Sequence, residues 1–282
     1  MICVAGMPRS GTSVVTQLMH RCGLDLGPPE QLMPASVNNP DGFWENLQFV
    51  RLNERLLAAN GGTWFAPPAM PLRPTQKIAA EAKSILAQFE GREPWLWKDP
   101  RNAVTLPFWK TMLPSMKVLV CVRHPAETAS SLVASTLIPR TWWPFYWSVT
   151  RSGSSIRLRD HSSRFHQRLW GAARTSASAR KRRTLIREVA LDLWRVYNTS
   201  ILDETSAEDR LVTHYEAMLA KPRAELERIL AFAGIHVASD ALDEVVRAVS
   251  PRLRHQREDN ARLDPEIAAL YAQLSREAGY EP

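Results

Sequence analysis

The 282-residue sequence contains no long hydrophobic run. A membrane-spanning helix needs roughly 18 or more consecutive apolar residues, and no stretch of the chain approaches that length. The apolar opening is also too short for a secretory signal peptide, because Pro8 and Arg9 interrupt it after a few residues. We therefore expect a cytoplasmic protein in which residues 1–282 form a single domain with a sizeable core.

Cysteine is scarce, since the chain has only Cys3, Cys22 and Cys121. Their number is odd, and Cys3 and Cys121 lie in apolar runs that have the composition of strands. We therefore expect buried free thiols rather than disulfide bonds or a cysteine-based metal site.

Acidic residues are almost absent from one segment, residues 135–183. The segment contains eleven arginine or lysine residues and a single acid, Asp160, although the net charge of the whole chain is only +7. It also contains TrpTrpProPheTyrTrp at 142–147 and has no clear periodicity, so we interpret it as a basic aromatic insertion. Three roles remain open for it: an acceptor pocket, a peripheral contact with an anionic membrane, or a flexible lid.

Short apolar runs alternate along the chain with stretches of helical composition. The runs lie at 2–5, 95–100, 118–122 and 210–215, and the helical stretches lie at 13–22, 43–57, 126–133 and 223–234. Strands that alternate with helices predict an α/β protein of the P-loop type, with three layers (α/β/α) and a central parallel sheet. In such sheets, ligands bind at the carboxyl ends of the strands.

The stretch GMPRSGTS has the spacing of a phosphate-binding loop but lacks the lysine. Four residues separate Gly6 from Gly11, as in nucleotide-hydrolysing loops, and Thr12 occupies the lysine position. A γ-phosphate would lack its main cation, and no strand is predicted to end in the acid that helps to hold magnesium. The loop carries Arg9 instead. The hydroxyl donors are Ser10, Thr12 and Ser13. We therefore predict a site for a compact dianion, without a metal ion.

Two further cations follow predicted strands. Arg123 comes directly after the run at 118–122, and Ser131 follows eight residues later on a predicted helix. An arginine at the end of a strand and a serine on the next helix are suited to bind a second phosphate. Lys98 ends another predicted strand, so its ammonium group is expected in the same crevice.

These motifs together resemble those of a known enzyme family. The family is the sulfotransferases that use 3′-phosphoadenosine 5′-phosphosulfate, PAPS. Four stretches of this chain are similar to its motifs: PRSGTS, KDP, the R-H-P run followed by Ser131, and HYEAMLAKP near residue 220. The arginine form of the loop, with KDP downstream, looks most like the tyrosylprotein sulfotransferases and their bacterial relatives. The resemblance spans roughly residues 2–235.

The resemblance implies how PAPS would bind as the sulfuryl donor. The loop would hold the 5′-phosphosulfate, and Arg123 with Ser131 would hold the 3′-phosphate. Arg9 and Lys98 match the positions that neutralise charge during in-line sulfuryl transfer. Tyr215 and Glu216 resemble a family position near the cofactor, and Arg254 lies where relatives close over PAPS. The implied cofactor-binding set is Arg9, Ser10, Gly11, Thr12, Ser13, Arg123, Ser131, Tyr215 and Arg254.

Transfer to a hydroxyl group also requires a general base, for which the chain offers several candidates. Glu45 follows a turn and has aromatic neighbours that would desolvate its carboxyl group and raise its pKa. Glu30 lies 21 residues beyond Arg9, a separation similar to that between the loop arginine and the base glutamate of the tyrosylprotein enzymes. Glu45 is the favoured candidate, and the others are Glu30, His20 and Asp41.

The acceptor is expected to be a hydroxyl group of a glycan, a lipid-linked sugar or a small metabolite. The sequence does not indicate the oligomeric state.

Two other functions are alternatives. A P-loop small-molecule kinase is opposed by Thr12 at the lysine position. A nucleic-acid-binding protein would use residues 135–183, but basic charge alone gives only sequence-independent attraction and leaves the clustered cations unexplained.

Overall fold

The computed structural model describes residues 1–35, 42–137, 179–247 and 263–281. Its centre is a sheet of parallel strands in the order β2-β1-β3-β4. The strands are β1 (Ile2–Ala5), β2 (Leu96–Lys98), β3 (Lys117–Val122) and β4 (Arg210–His214). Arg254 and most of the insertion at 135–183 lie outside the described residues.

Helices cover both faces of this sheet. A short 3₁₀ helix spans Pro29–Gln31. The α-helices are α1 (Thr12–Arg21), α2 (Leu47–Ala59), α3 (Gln76–Ala87), α4 (Asn102–Met112), α5 (Pro125–Leu137), α6 (Ala179–Glu204), α7 (Tyr215–Ala220), α8 (Pro222–Ala233), α9 (Ser239–Arg247) and α10 (Pro265–Glu277). None of these helices is both long enough and apolar enough to cross a lipid bilayer.

Alternate residues of each strand face two separate hydrophobic cores. Cys3 and Ala5 of β1 contribute to the core formed with α2, α3, α4, α6 and α10. Ile2 and Val4 contribute to the opposite core, formed with α1, α8 and α9. A strand that is covered on both faces needs apolar residues at every position, which explains the continuous runs in the sequence. The predicted three-layer α/β fold with a parallel sheet is confirmed.

Burial of the two cysteines in apolar runs is confirmed, whereas Cys22 is only half-buried. Cys3 and Cys121 are buried in β1 and β3, and all three cysteines are free thiols. In the described part of the chain, no group of histidine, cysteine or acidic side chains could hold a metal ion.

The helix predicted at 43–57 is wrong at its N-terminal end, because α2 begins at Leu47. Trp44 has a φ of 61°, in the left-handed region, and so cannot belong to a right-handed helix. Asn46 is extended, and its side chain accepts a hydrogen bond from the backbone N–H of Gln48, which caps the helix. Glu45 therefore precedes the N-terminal cap of α2 and does not lie on the surface of that helix.

A glycine is required where the loop enters α1. Gly11 has a φ of 94°, and a Cβ atom placed on it would lie 2.5 Å from Cδ2 of Tyr215. The Tyr215 ring, from the first turn of α7, thus packs directly on the backbone of the loop. Residues some 200 positions apart in the chain therefore fix the entry to α1.

Replacing Gly11 tests this contact. Gly11→Ala should destabilise the protein by the strain of a left-handed alanine, roughly 1–2 kcal/mol, plus about 1–3 kcal/mol of overpacking against Tyr215. Gly234→Ala is a matched control, since Gly234 also has a positive φ, 73°, but open space around it. Urea unfolding should therefore show the larger loss for Gly11→Ala. Equal losses for the two variants would contradict the contact.

Candidate active site

The loop between β1 and α1 holds Arg9 in a left-handed backbone conformation. Its φ is 77°, and such strain in a non-glycine residue persists where the surroundings enforce it, often at functional sites. Nε of Arg9 donates a hydrogen bond to Oγ of Ser131 at 2.9 Å. Because Ser131 lies on α5, this bond joins the loop to the helix that follows β3. The two regions predicted to hold separate phosphates are therefore in direct contact.

The hydroxyl groups of the loop have different partners. Ser10 is buried, and its hydroxyl donates to the carbonyl oxygen of Met7 at 2.7 Å, which closes the turn. Thr12 is buried as the first residue of α1. Oγ of Ser13 accepts a hydrogen bond from Nζ of Lys98 at 3.2 Å. No described side chain caps the N-terminus of α1, so its first N–H groups and its dipole favour an anion there.

Lys98 and Glu45 form a buried ion pair beside the loop. Nζ of Lys98 lies 2.6 Å from Oε1 of Glu45, and the two side chains are only 2% and 6% exposed. The ammonium group also donates to the carbonyl oxygen of Phe43 at 3.1 Å. With the bond to Ser13, all three of its N–H groups have an acceptor. The lysine at the end of β2 is therefore fixed between the loop and the 43–46 segment.

Opposing effects act on the pKa of Glu45. Burial raises it, and the attraction of Lys98 lowers it. The negative charge of Asp99 raises it further, and Arg101, whose Nη1 lies 3.8 Å from Oε2 of Glu45, lowers it. The net effect is a pKa above the ordinary glutamate value. This carboxylate is therefore a better proton acceptor than an exposed one.

Asp99 is an acid next to the end of a strand, a position where the sequence predicted no acid that could help to hold magnesium. It directly follows β2, but both carboxylate oxygens have partners within the protein. Oδ1 accepts from the backbone and side chain of Arg101, and Oδ2 accepts from the amide of Asn53 at 2.8 Å. Asp99 therefore supports the strand end, where a magnesium-binding loop would offer a free acid.

Arg123 lies at the end of β3, next to Tyr215 at the end of β4. These strands pair with Val122 opposite His214, so the residues that follow are neighbours. Cζ of Arg123 lies 4.5 Å from the centre of the Tyr215 ring, a cation–π contact. Nε and Nη2 both donate to Oε2 of Glu127, at 3.1 and 2.9 Å.

Arg9 and Arg123 bring two positive charges close together, with Arg123 buried and Arg9 half-buried. Partial burial lowers the pKa of Arg9, and the nearby charge of Arg123 lowers it further. The two guanidinium groups therefore repel each other. An anion bound between them would relieve this repulsion, so the electrostatics favour a phosphate-like ligand.

The other candidate bases do not join this cluster. Glu30 is exposed on the 3₁₀ helix, and no described residue forms an ion pair or a hydrogen bond with its side chain. His20 is exposed on α1, where Nδ1 donates to the carbonyl oxygen of Leu24 at 2.9 Å and the ring contacts Trp44. Asp41 and Arg254 lie outside the described residues.

The sequence reasoning missed several residues that support the site. Arg101 and Asn53 hold Asp99, and Glu127 lies beside Arg123. A signal was present for Glu127, since it stands four residues after Arg123, the spacing of a helical ion pair. Asn53 gave no signal, because its contact depends on how α2 packs against β2.

Comparison with known proteins identifies the family and the fold. A family model described as the sulfotransferase family matches residues 2–239. Among solved structures, sulfotransferase STF9 from Mycobacterium avium is 17% identical, with a TM-score of 0.53, over 99% of this chain and 77% of the other. The sulfotransferase domain from the curacin biosynthetic pathway is 14% identical, with a TM-score of 0.50, over 100% and 98% of the two chains. No curated protein gives a significant match.

The buried pair generates a stability prediction. Lys98→Met leaves Glu45 without its closest cation, and breaking one side of a buried pair costs about 3–5 kcal/mol. The raised pKa of Glu45 means that the folded state binds its proton more tightly than the unfolded state does. The free energy of unfolding of Lys98→Met should therefore fall as the pH rises through that pKa.

The double variant Lys98→Met/Glu45→Gln is the control for this prediction. It removes both charges, so it should regain much of the lost free energy of unfolding and lose the added pH dependence. Urea denaturation at several pH values measures both effects. Strictly additive losses would contradict the coupling.

Proposed function

The chain belongs to the sulfotransferase family, and we propose that it transfers the sulfuryl group of PAPS to a hydroxyl group by in-line displacement, with a carboxylate as the base. The observation that carries the proposal is the convergence of Arg9, Arg123 and Ser131 beside the Lys98–Glu45 pair. Cations for a phosphate and a base for a hydroxyl group are the two requirements of this reaction.

Arg123 and Ser131 would hold the 3′-phosphate of PAPS. The repulsion between Arg9 and Arg123 supports this assignment, because a dianion bound at Arg123 would relieve it. Tyr215 would support Arg123 from its face and, through its contact with Gly11, fix the loop at the same time.

The 5′-phosphosulfate would bind at the N-terminus of α1. Gly11, Thr12 and Ser13 lie at the start of this helix, whose N–H groups and dipole favour an anion. Ser10 contributes mainly by closing the turn through Met7. PAPS supplies an activated sulfuryl group with 3′,5′-ADP as the leaving group, so none of these residues needs a metal ion.

Lys98 and Arg9 would neutralise the charge that develops on the leaving-group and equatorial oxygens during transfer. A fixed positive charge in a site that excludes water contributes about 3–4 kcal/mol to such stabilisation. Lys98 is well placed for this because its contact with Ser13 holds it against the start of α1. Removal of Lys98 would also leave Glu45 with a higher pKa and less of it ionised.

Glu45 would accept the proton of the acceptor hydroxyl group. Its raised pKa makes it more basic than an ordinary glutamate, while the positive charge of Lys98 favours its ionised form. Glu30 has neither the burial nor the neighbouring cations. We propose that the acceptor is a glycan, a lipid-linked sugar or a small metabolite. Each of these carries a hydroxyl group from which Glu45 would take a proton.

Ligand binding tests the donor assignment. Arg123→Ala should weaken the binding of 3′,5′-ADP by about 1.5–3 kcal/mol, the range for a lost charged hydrogen bond. Adenosine 5′-phosphosulfate lacks the 3′-phosphate, so its binding should change little. Arg228→Ala, which removes a glutamate-paired arginine on α8, serves as the control and should affect neither ligand. Equal losses for the two ligands would refute the assignment, as would wild-type protein that prefers ATP or AMP.

Turnover tests the base. With a hydroxyl acceptor that the wild-type protein uses, Glu45→Gln should lower kcat by roughly 10²–10⁴ while the affinity for PAPS stays nearly constant. Glu30→Gln is the matched control and should have a mild effect. If Glu30→Gln abolishes turnover and Glu45→Gln keeps a near-normal kcat, the base has been misassigned.

A further inference from the structure

Arg123 is held from several sides by the protein. Its carbonyl oxygen accepts a hydrogen bond from Nε1 of Trp194 at 3.1 Å, which fixes the backbone at the end of β3. The Tyr215 ring covers one face of the guanidinium group. Glu127 and Glu216 place carboxylates beside it, with Oε1 of Glu216 3.7 Å from Nε.

Glu127 contacts one particular edge of Arg123. A single oxygen, Oε2, accepts hydrogen bonds from both Nε and Nη2, and both side chains are buried. No described residue accepts a hydrogen bond from Nη1. One edge of the guanidinium group is therefore bound within the protein, and the remaining nitrogen is left for a ligand.

Glu216 differs from Glu127 in its partners. Its Oε2 lies 2.8 Å from Nδ1 of His214, and Nε2 of that ring lies 3.1 Å from the hydroxyl oxygen of Tyr271 on α10. Burial would raise the pKa of Glu216, but the adjacent His214 ring lowers it overall. Glu216 therefore remains a negative charge close to Arg123, whereas Glu127 makes the directional contact.

We propose that Glu127 is a positioning residue for the nucleotide, because it holds the Nε–Nη2 edge of Arg123 and so directs Nη1 toward the 3′-phosphate. This assignment rests on the proposed function, in which Arg123 binds that phosphate. Glu127 itself does not touch the ligand. Glu127 orients the guanidinium group of Arg123 before the phosphate binds. Less conformational entropy of the Arg123 side chain is then lost on binding.

The main alternative is that Glu127 only stabilises α5. It lies in the first turn of that helix, where a negative charge interacts favourably with the helix dipole. The two roles require different properties of the side chain. Positioning requires an acceptor oxygen at the reach of a glutamate, whereas the dipole requires a negative charge near the N-terminus.

Two substitutions separate these roles. Glu127→Gln keeps an acceptor oxygen at the same reach but removes the charge, so 3′,5′-ADP should bind within about threefold of the wild type. Glu127→Asp keeps the charge but is one methylene shorter. It should weaken the binding of 3′,5′-ADP by roughly 5- to 50-fold, because its oxygen no longer reaches the Nε–Nη2 edge that it orients, and change the binding of adenosine 5′-phosphosulfate by less than about threefold.

A surface pair on α8 provides the matched control. Arg223 and Glu227 have the same spacing and the same chemistry, with Nε of Arg223 3.0 Å from Oε1 of Glu227, but both side chains are exposed. Glu227→Gln and Glu227→Asp should leave the binding of both ligands unchanged. Isothermal titration calorimetry on the full chain measures all five proteins, and circular dichroism confirms that each variant is folded.

Each outcome decides a separate question. Wild-type affinity in Glu127→Asp with weakened binding in Glu127→Gln would show a helix-charge role and overturn the positioning role. Equal losses for both ligands in Glu127→Asp would overturn it as well, because a general disturbance does not distinguish the 3′-phosphate. A wild-type protein that does not prefer 3′,5′-ADP over AMP would refute the proposed function itself, and this assignment with it.

Discussion

The buried ion pair between Lys98 and Glu45 is the interaction on which the rest of the site depends. Taking two charges out of water costs several kcal/mol per ion unless their geometry and hydrogen bonds are complete. The surrounding structure meets this demand through the carbonyl oxygen of Phe43, the hydroxyl group of Ser13 and the guanidinium group of Arg101. The start of α1 and the 43–46 segment are thereby tied to the end of β2.

Much of the fold could be predicted because it follows from local patterns. Strands covered on both faces appear as unbroken apolar runs, and the loop after β1 appears as glycines at a fixed spacing. The ends of the parallel strands then bring Arg9, Lys98 and Arg123 to one edge, since this is a property of the topology. The sequence also favoured Glu45 over Glu30, and only Glu45 lies against Lys98 in the structure.

The geometry around these residues could not be predicted, because it depends on contacts between distant segments. The helix expected from Phe43 is delayed to Leu47 by the left-handed backbone of Trp44, and aromatic residues give no sequence signal for such a conformation. The bond between Arg9 and Ser131 joins residues 122 positions apart. The role of Asn53, which donates to Asp99, likewise appears only once α2 is packed.

The contact between Tyr215 and Gly11 also imposes an order on folding during synthesis. The loop leaves the ribosome before the ring that packs on it, which is made some 200 residues later, and Tyr271 of α10, which contacts His214, comes later still. A nascent chain that ends before β4 therefore has the loop between β1 and α1 without the ring that packs on its backbone. The loop can reach its final packing only after Tyr215 has been made and β4 has paired with β3.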